Sequence, residues 1–557
     1  MKVFEIPKST NTYADSLRAV GTADLLEEIS RTQPIIKDMG THFQIECSSD
    51  IVSEQLSPPS PGYYYIWRKS KEKEKPQGGL ILDYEEEKSK ADAIKKSGGK
   101  KKKETLDKAL AEQGLVGLEN VHQEYRPAAI LESMRKGWTS DKDVYKWVVQ
   151  NPVKALKWGE CELLNRASLD PPIEVNNSQF FNPASGKGVH AGKTRYKSAG
   201  AISNEVVEPF AEWMKYRGAY NAMLPFRNGD DFKLFVIEPS EIGPKALSIL
   251  RRRLLDLNLW GGIRLDIEAI LRLTEELIMH SDVVQGEIRL RGRRPSEIVK
   301  GLRQAFFKSM GTAAALMNDA FLPLPDWFCI QNRDDANAFL GIIKEHIGYY
   351  ENGQRKQGCL GSLDENHSGD VPLLQQYRKW LATSDKFDLL EFFAKYSVLG
   401  MEKRGKKEWV KEFSTENLNI LFGRGYGMKK IVENTGFVNI ANAIRNSTVS
   451  SFENVKSGWK GSGYETQFGM AQEWKQKIKG GKQAFIPALS DFVQKHNWEA
   501  VHKLKKSSPP ISQEDLSGML ILIDQYGVEL IGMILLAYGY ARASRTETEN
   551  TSKKEGK

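Results

Sequence analysis

From Phe437 to Tyr540 the apolar residues keep a helical period, and that run constrains the chain more than any other feature. Phe437, Ile440, Ala441 and Ile444 recur at i, i+3, i+4 and i+7. Phe468, Ala471, Trp474 and Ile478 form a second stripe, and Phe485, Leu489, Phe492 and Val493 a third. Pro509-Pro510 breaks the chain. Ser512 and Asp515 then have the spacing of a capping box. The helix they open should bury Leu516, Met519, Leu520 and Ile523, with Leu530, Ile531, Ile534 and Leu535 continuing beyond Gly527. Met519 to Tyr540 is apolar enough to suggest a membrane span, but Asp524, Gln525 and Glu529 interrupt it. A charge at a bilayer centre costs about 2.5–3.5 kcal/mol on insertion scales. The expectation is a buried helix pair with no membrane, inside an all-α C-terminal helical bundle spanning 386–545.

The bundle is entered through Asn417 to Val449. This stretch opens on Gly423-Arg424-Gly425-Tyr426-Gly427, a glycine-spaced turn able to hold dihedrals that other residues avoid. Arg424, Lys429 and Lys430 surround it with positive charge, and Arg445 lies one place past the first apolar stripe. From Ile420 to Arg545 there are sixteen Lys and Arg against ten Asp and Glu, so most of the formal net charge of +8 sits in the C-terminal quarter. That placement fits a polyanion partner. Arg424, Lys429, Lys430 and Arg445 are the candidate contacts to a nucleic-acid strand.

Strand signals lie earlier. Val3 to Ile6, the aromatic run Tyr63 to Arg68, and Phe232 to Glu238 after the hairpin signal Arg227-Asn228-Gly229-Asp230 read as strands. Asp24 to Ile29, Tyr125 to Lys157 and Val206 to Arg217 read as helices, and helical patterns dominate from Pro244 to Leu322. The fold class expected is α+β: a mixed N-terminal region of short strands and helices over 1–385, then the bundle, then a disordered tail over 546–557. Residues 70–104 read as a mobile charged loop. Two arginine clusters, 251–253 and 291–294, suit either a phosphate backbone or a helix C-terminus.

The second informative stretch is Asn176 to Lys197. It ends in Gly192-Lys193-Thr194, but the first glycine of a phosphate-binding loop would fall on Lys187, with Gly186 and Gly188 on either side. No apolar strand precedes it, which argues against a nucleotide-hydrolysing enzyme. A basic glycine-rich loop remains. Lys187, Lys193, Arg195 and Lys197 suit phosphates, and Asn177 or Asn182 suits base edges, because an amide both donates and accepts.

Catalytic and metal patterns are absent from the sequence. The eight histidines are scattered, with no HExxH and no Cys–His pair of metal spacing. Cys47, Cys161, Cys329 and Cys359 form no CxxC, which suits a reducing cytoplasm. The expectation is a binding subunit that is not an enzyme and has no cofactor or metal. Two alternatives stay open: a degenerate nucleotide-binding enzyme using Lys193 and Thr194, or a helical scaffold without nucleic-acid contact.

Phe422 to Gly427 (FGRGYG), Phe437 to Val449 (FVNIANAIRNSTV), Leu489 to Glu499 (LSDFVQKHNWE) and Leu522 to Arg542 (LIDQYGVELIGMILLAYGYAR) resemble the large subunit of type I CRISPR surveillance complexes (Cascade). The subgroup is the MYXAN subtype, close to type I-B. Phe180 to Gly188, Glu212 to Tyr220 and Asp231 to Pro239 are similar to its N-terminal part. The resemblance implies a non-catalytic protein that reads the short motif flanking a target, the PAM. Such a subunit aids duplex opening and stabilises the R-loop. The implied partners are guide RNA (crRNA), target double-stranded DNA, displaced single-stranded DNA, the Cascade backbone and handle-capping subunits, and helical small subunits. A nuclease-helicase, or a transposition adaptor in CRISPR-associated transposons, would act downstream. Protein would read the flank and base pairing the sequence. In related complexes an internal start often yields a separate small subunit; here it would begin at Met428, or alternatively Met401.

Overall fold

The computed structural model describes residues 2–47, 65–67, 81–83, 85–86, 89, 93, 156–157, 161–163, 180–183, 208–228, 231–257, 262–309, 314–351, 354–450, 466–502 and 509–543. Asn177, Lys187, Lys193, Arg195 and Lys197 lie outside these residues. So do nearly all of the 70–104 segment, the helical reading of 125–157 except its last two residues, and the 546–557 tail. The chain forms two compact units, one of residues 1–260 with 296–323 and one of 261–295 with 324–557. The sequence boundary at 385/386 falls inside the second unit.

In the first unit, β1 (Lys2–Pro7), β2 (Ile35–Asp38) and β3 (His42–Cys47) form an antiparallel sheet. Burial alternates along β3, so Phe43, Ile45 and Cys47 share the inner face. The short strands β4 (Tyr65–Trp67) and β5 (Ile81–Asp83) pair in parallel. A hairpin joins β6 (Met223–Asn228) to β7 (Asp231–Pro239), and β8 (Glu241–Ile242) closes the first sheet beside β2. The long pair β9 (Val299–Ser309) and β10 (Ala314–Pro323) completes a second sheet of order β10-β9-β7-β6. Helix α1 (Tyr13–Ser30) starts at an N-cap, the Thr12 hydroxyl accepting from Ala14 N, and ends on Arg31 at φ 53°. It packs on α2 (Pro209–Ala222) so closely that a Cβ on Gly21 would meet Met214 O at 1.7 Å, and one on Gly218 would meet Leu17 O at 1.9 Å. Helix α3 (Pro244–Asp256) follows, carrying Leu247, Leu250 and Leu254 into the core.

The second unit is mainly helical. It contains α4 (Ile263–Met279), α5 (Arg333–Ile347), the two-stranded ribbon β11 (Gly348–Glu351) and β12 (Gln354–Gln357), α6 (Val371–Thr383) and α7 (Lys386–Gly405). Then come α8 (Thr435–Ser447), α9 (Met470–Lys479), α10 (Lys482–Val501), α11 (Gln513–Tyr526) and α12 (Val528–Gly539). The Ser512–Asp515 capping box is formed in both directions. No strand lies between Phe437 and Tyr540 among the described residues, and no described helix is long and apolar enough to cross a membrane. An aromatic core runs through this unit: Trp327 stacks on Phe339 at 4.5 Å, and Phe413 lies edge-on to Phe393 at 4.9 Å.

The α+β class stands, with strands in the N-terminal and middle parts and helices in the C-terminal half. Several local expectations change. Val299 to Pro323, inside the expected helical stretch, is the β9–β10 pair. β9 is central in its sheet and buried on both faces at Leu302, Gln304, Ala305 and Phe307, so it lacks the period-two signal. Phe468, expected on a buried stripe, precedes α9 and is 44% exposed. A separate small subunit beginning at Met428 would lack α7, which packs on α12. A start at Met401 would cut α7 itself.

Candidate nucleic-acid interface

The glycine-spaced stretch at 423–427 is more ordered than a turn. A short helix, Thr415–Leu418, is capped by the Ser414 hydroxyl accepting from Asn417 N, and continues as a π-helix over Asn419–Gly425. Such wide turns are rare and often accompany functional sites. Leu421 and Phe422 anchor it inward. Tyr538 on α12 donates its hydroxyl proton to Asn419 Oδ1 at 2.9 Å. The Tyr426 hydroxyl accepts from Trp380 Nε1 at 2.6 Å and donates to the Ser384 carbonyl at 3.1 Å. A Cβ on Gly425 would lie tightly against Trp327, 3.2 Å from Cε3, and Gly427 holds φ +67°.

Facing outward from this pinned segment are Arg424, Lys429 and Lys430. Arg424 is 57% exposed and 3.4 Å from Asp335; Lys429 is 73% exposed and 3.8 Å from Glu433. Lys430 is exposed beside them. Arg445 does not join them. It is 6% exposed, and its guanidinium donates to Asn442 Oδ1 at 2.9 Å and to the Tyr538 carbonyl at 3.2 Å. One place past an apolar stripe still falls within the buried arc of α8, so this cation ties α8 to α12 and is withdrawn from any strand.

Asn182, the one described member of the basic loop's candidates, is also committed. Its amide nitrogen donates to Glu212 Oε2 at 3.0 Å, and its oxygen accepts from the Lys215 ammonium. Glu212 and Lys215 pair with each other on α2, both largely buried. Base reading by Asn182 would have to break this network. Its sequence neighbours Phe180 and Phe181 are buried, and the Phe180 carbonyl accepts from the Tyr13 hydroxyl at 2.8 Å.

The arginine clusters divide. Arg251 is buried and donates from Nε to the Met223 carbonyl at 2.7 Å, while Arg252 and Arg253 are exposed on α3. Arg291 follows a tight loop in which Asp282 Oδ1 accepts from Leu290 N and Arg291 N, and Arg294 bridges to Asp326 at 3.2 Å.

No group of three or more His, Cys, Asp or Glu able to hold a metal ion occurs among the described residues. His346 is fully enclosed, 2.6 Å from the Tyr377 hydroxyl, and burial pulls its pKa down to about 3, so it stays neutral. His496 is buried, with Nε2 3.2 Å from the Pro509 carbonyl. Both act in packing.

Sequence reasoning missed an ion-pair cluster between α7 and α9. Glu391 is shared by Lys395 at 3.2 Å and Lys475 at 3.4 Å. Burial, together with Lys395 and Lys479, pulls Lys475 below the usual lysine pKa even though Glu391 stands opposite. Sequence carried no signal for it, because Lys475 and its partner Glu391 lie on helices far apart in the chain. No protein-family model matches the chain, and no curated protein does.

Proposed function

We propose that this chain is the large subunit of an RNA-guided type I CRISPR effector complex, a binding protein that reads the target's flank and holds separated strands. The observation that carries the reading is the packing of the segments that resemble that family. Phe422 of the π-helix, Phe437 of α8 and Tyr538 of α12 meet, with Tyr538 5.3 Å from Phe437 and 6.4 Å from Phe422. Helix α8 packs on α11 and α12, and α10 packs on α9, which packs on α12. Four stretches scattered over 120 residues of sequence thus build one body, as expected if they are similar for a common reason. The exposed Arg424, Lys429 and Lys430 on its surface suit a polyanion.

Flank reading is assigned to the basic loop. Asn182 anchors its start, leaving Asn177 as the base reader and Lys187, Lys193, Arg195 and Lys197 as phosphate contacts. The guide RNA, the backbone and handle-capping subunits, and the downstream nuclease-helicase or transposition adaptor belong to the same proposal, as does a cytoplasmic location. The test is target binding by the assembled complex across a randomised flank library. The wild type should prefer particular flanks. Lys193→Ala should weaken all flanks alike and reduce the salt slope by about one unit. Binding indifferent to the flank overturns the reading.

A further inference from the structure

We infer that Glu345 is a proton-operated latch, holding the segments 413–415 and 541–543 against α5 while its carboxyl is neutral and loosening them when it ionises. The latch is built from backbone groups. Arg542 N donates to the Phe413 carbonyl at 2.8 Å, and Thr415 N donates to the Arg542 carbonyl at 3.0 Å, closing a parallel bridge between Ser414 and Arg542. Between those two bonds, Ser414 N donates to Glu345 Oε1 at 2.9 Å. Glu345 therefore grips the residue whose two neighbours grip Arg542. Ser414 is also the N-cap of the short helix that runs into the π-helix carrying Arg424. One carboxyl thus fixes the root of that segment and, through it, the end of the helical bundle.

The surroundings oppose a charge on this carboxyl. Glu345 is 9% exposed, and its Oε2 is buried without a hydrogen-bond partner. It stands in the last turn of α5, at the negative end of the helix dipole, which disfavours an anion. Two titratable groups face it. The Cys359 thiol is held neutral by burial, and Arg542 is exposed, so solvent screens its charge. Lys411, also beside Cys359, reaches to the Gln357 carbonyl. On α5 itself Lys344 is exposed, and His346 faces Tyr377 and Phe413 and stays neutral. Burial lifts the Glu345 pKa above the ordinary carboxylate value, outweighing the help that Ser414, Asn417 and Arg542 give to the anion. An amide at this position could accept from Ser414 N equally well; what the carboxyl adds is the capacity to titrate.

The direction of the effect follows. In the open segment Glu345 is solvated and ionises near its ordinary pKa of 4.5. The closed state keeps the proton to higher pH, so closure is firmest below about pH 4.5 and weakens as pH rises towards the raised value. The experiment is hydrogen exchange of the full-length chain from about pH 4.5 to 8, with intrinsic rates divided out, read in peptides covering 410–418 and 536–543. Opening of the wild type relative to Glu345→Gln should rise with pH by up to about tenfold per pH unit, the limit for one proton, and then level off. The ratio cancels His346 and every other group common to both chains. Arg542→Ala removes the charge that favours the anion. The same ratio taken in that background, against Arg542→Ala with Glu345→Gln, should level off at higher pH. Peptides of α1 and α2 should show no such rise. A ratio constant over the range overturns the inference. So does Glu345→Gln opening more readily than the wild type at every pH, which would make the carboxylate a fixed anchor. So does a levelling-off that Arg542→Ala leaves in place.

Discussion

Gly21→Ala should loosen the first unit, and the size of the effect follows from the α1–α2 crossing. The added methyl would sit 1.7 Å from the Met214 carbonyl oxygen, whereas ordinary contact begins near 3.4 Å, so the helices must part by the difference, about 1.7 Å. The opposing atom is backbone and cannot swing aside as a side chain would. Overpacking commonly costs about 1–3 kcal/mol, and a rigid neighbour places this case near ~3 kcal/mol. Helix propensity acts in the opposite sense, favouring Ala over Gly by about 0.8–1.0 kcal/mol. The net expectation is ~2 kcal/mol of destabilisation, about 30-fold in the opening equilibrium. Hydrogen exchange followed by mass spectrometry should register this as about 30-fold faster exchange in α1 and α2 peptides, with peptides of the second unit unaffected. Gly469→Ala, which meets nothing within 4 Å, should leave exchange unchanged. Slower or equal exchange in α1 for Gly21→Ala, as propensity alone would give, would refute the argument.

Arg445→Ala should destabilise the second unit by about 1–3 kcal/mol by leaving the Tyr538 carbonyl and Asn442 amide without their donor, while the salt slope for nucleic acid stays at the wild-type value. The His346 imidazole binds a proton near pH 6.5 when unfolded but only near pH 3 when buried. The unfolded state therefore binds more protons between those values, and stability should be lost as pH falls from about 6.5 towards 3. His346→Gln should flatten that limb in pH-dependent urea unfolding. A fragment of residues 428–557 lacks α7, which covers α12, and should expose apolar surface; dye binding and rapid proteolysis would register this, whereas sharp, dispersed amide resonances would contradict it.

The sequence carried the bundle helices because their buried residues are large and keep a regular period, as at Phe437, Ile440 and Ile444. It carried the capping box because the local chemistry suffices. Helix α1 was seen only over 24–29, since the residues it buries include Ala14, Ala19, Gly21 and Thr22, chosen for close approach to α2 and carrying little apolar signal. The π-helix was read as a turn because glycines mark both. At the candidate interface, exposure separated residues of like type: Arg424 and Lys429 face solvent, while Arg445 is consumed inside. The pairing of Lys475 with Glu391 became visible only in the structure, because α7 supplies that carboxylate from far away in sequence.

The most direct test of the central claim is the RNA that travels with the protein. The tagged full-length chain, purified at native level from its own cells after nuclease treatment of unprotected nucleic acid, should retain short RNAs of uniform length that share one repeat-derived 5′ end and differ in their interiors. RNA absent, or present only as a sample of abundant cellular transcripts without a common end, would contradict it.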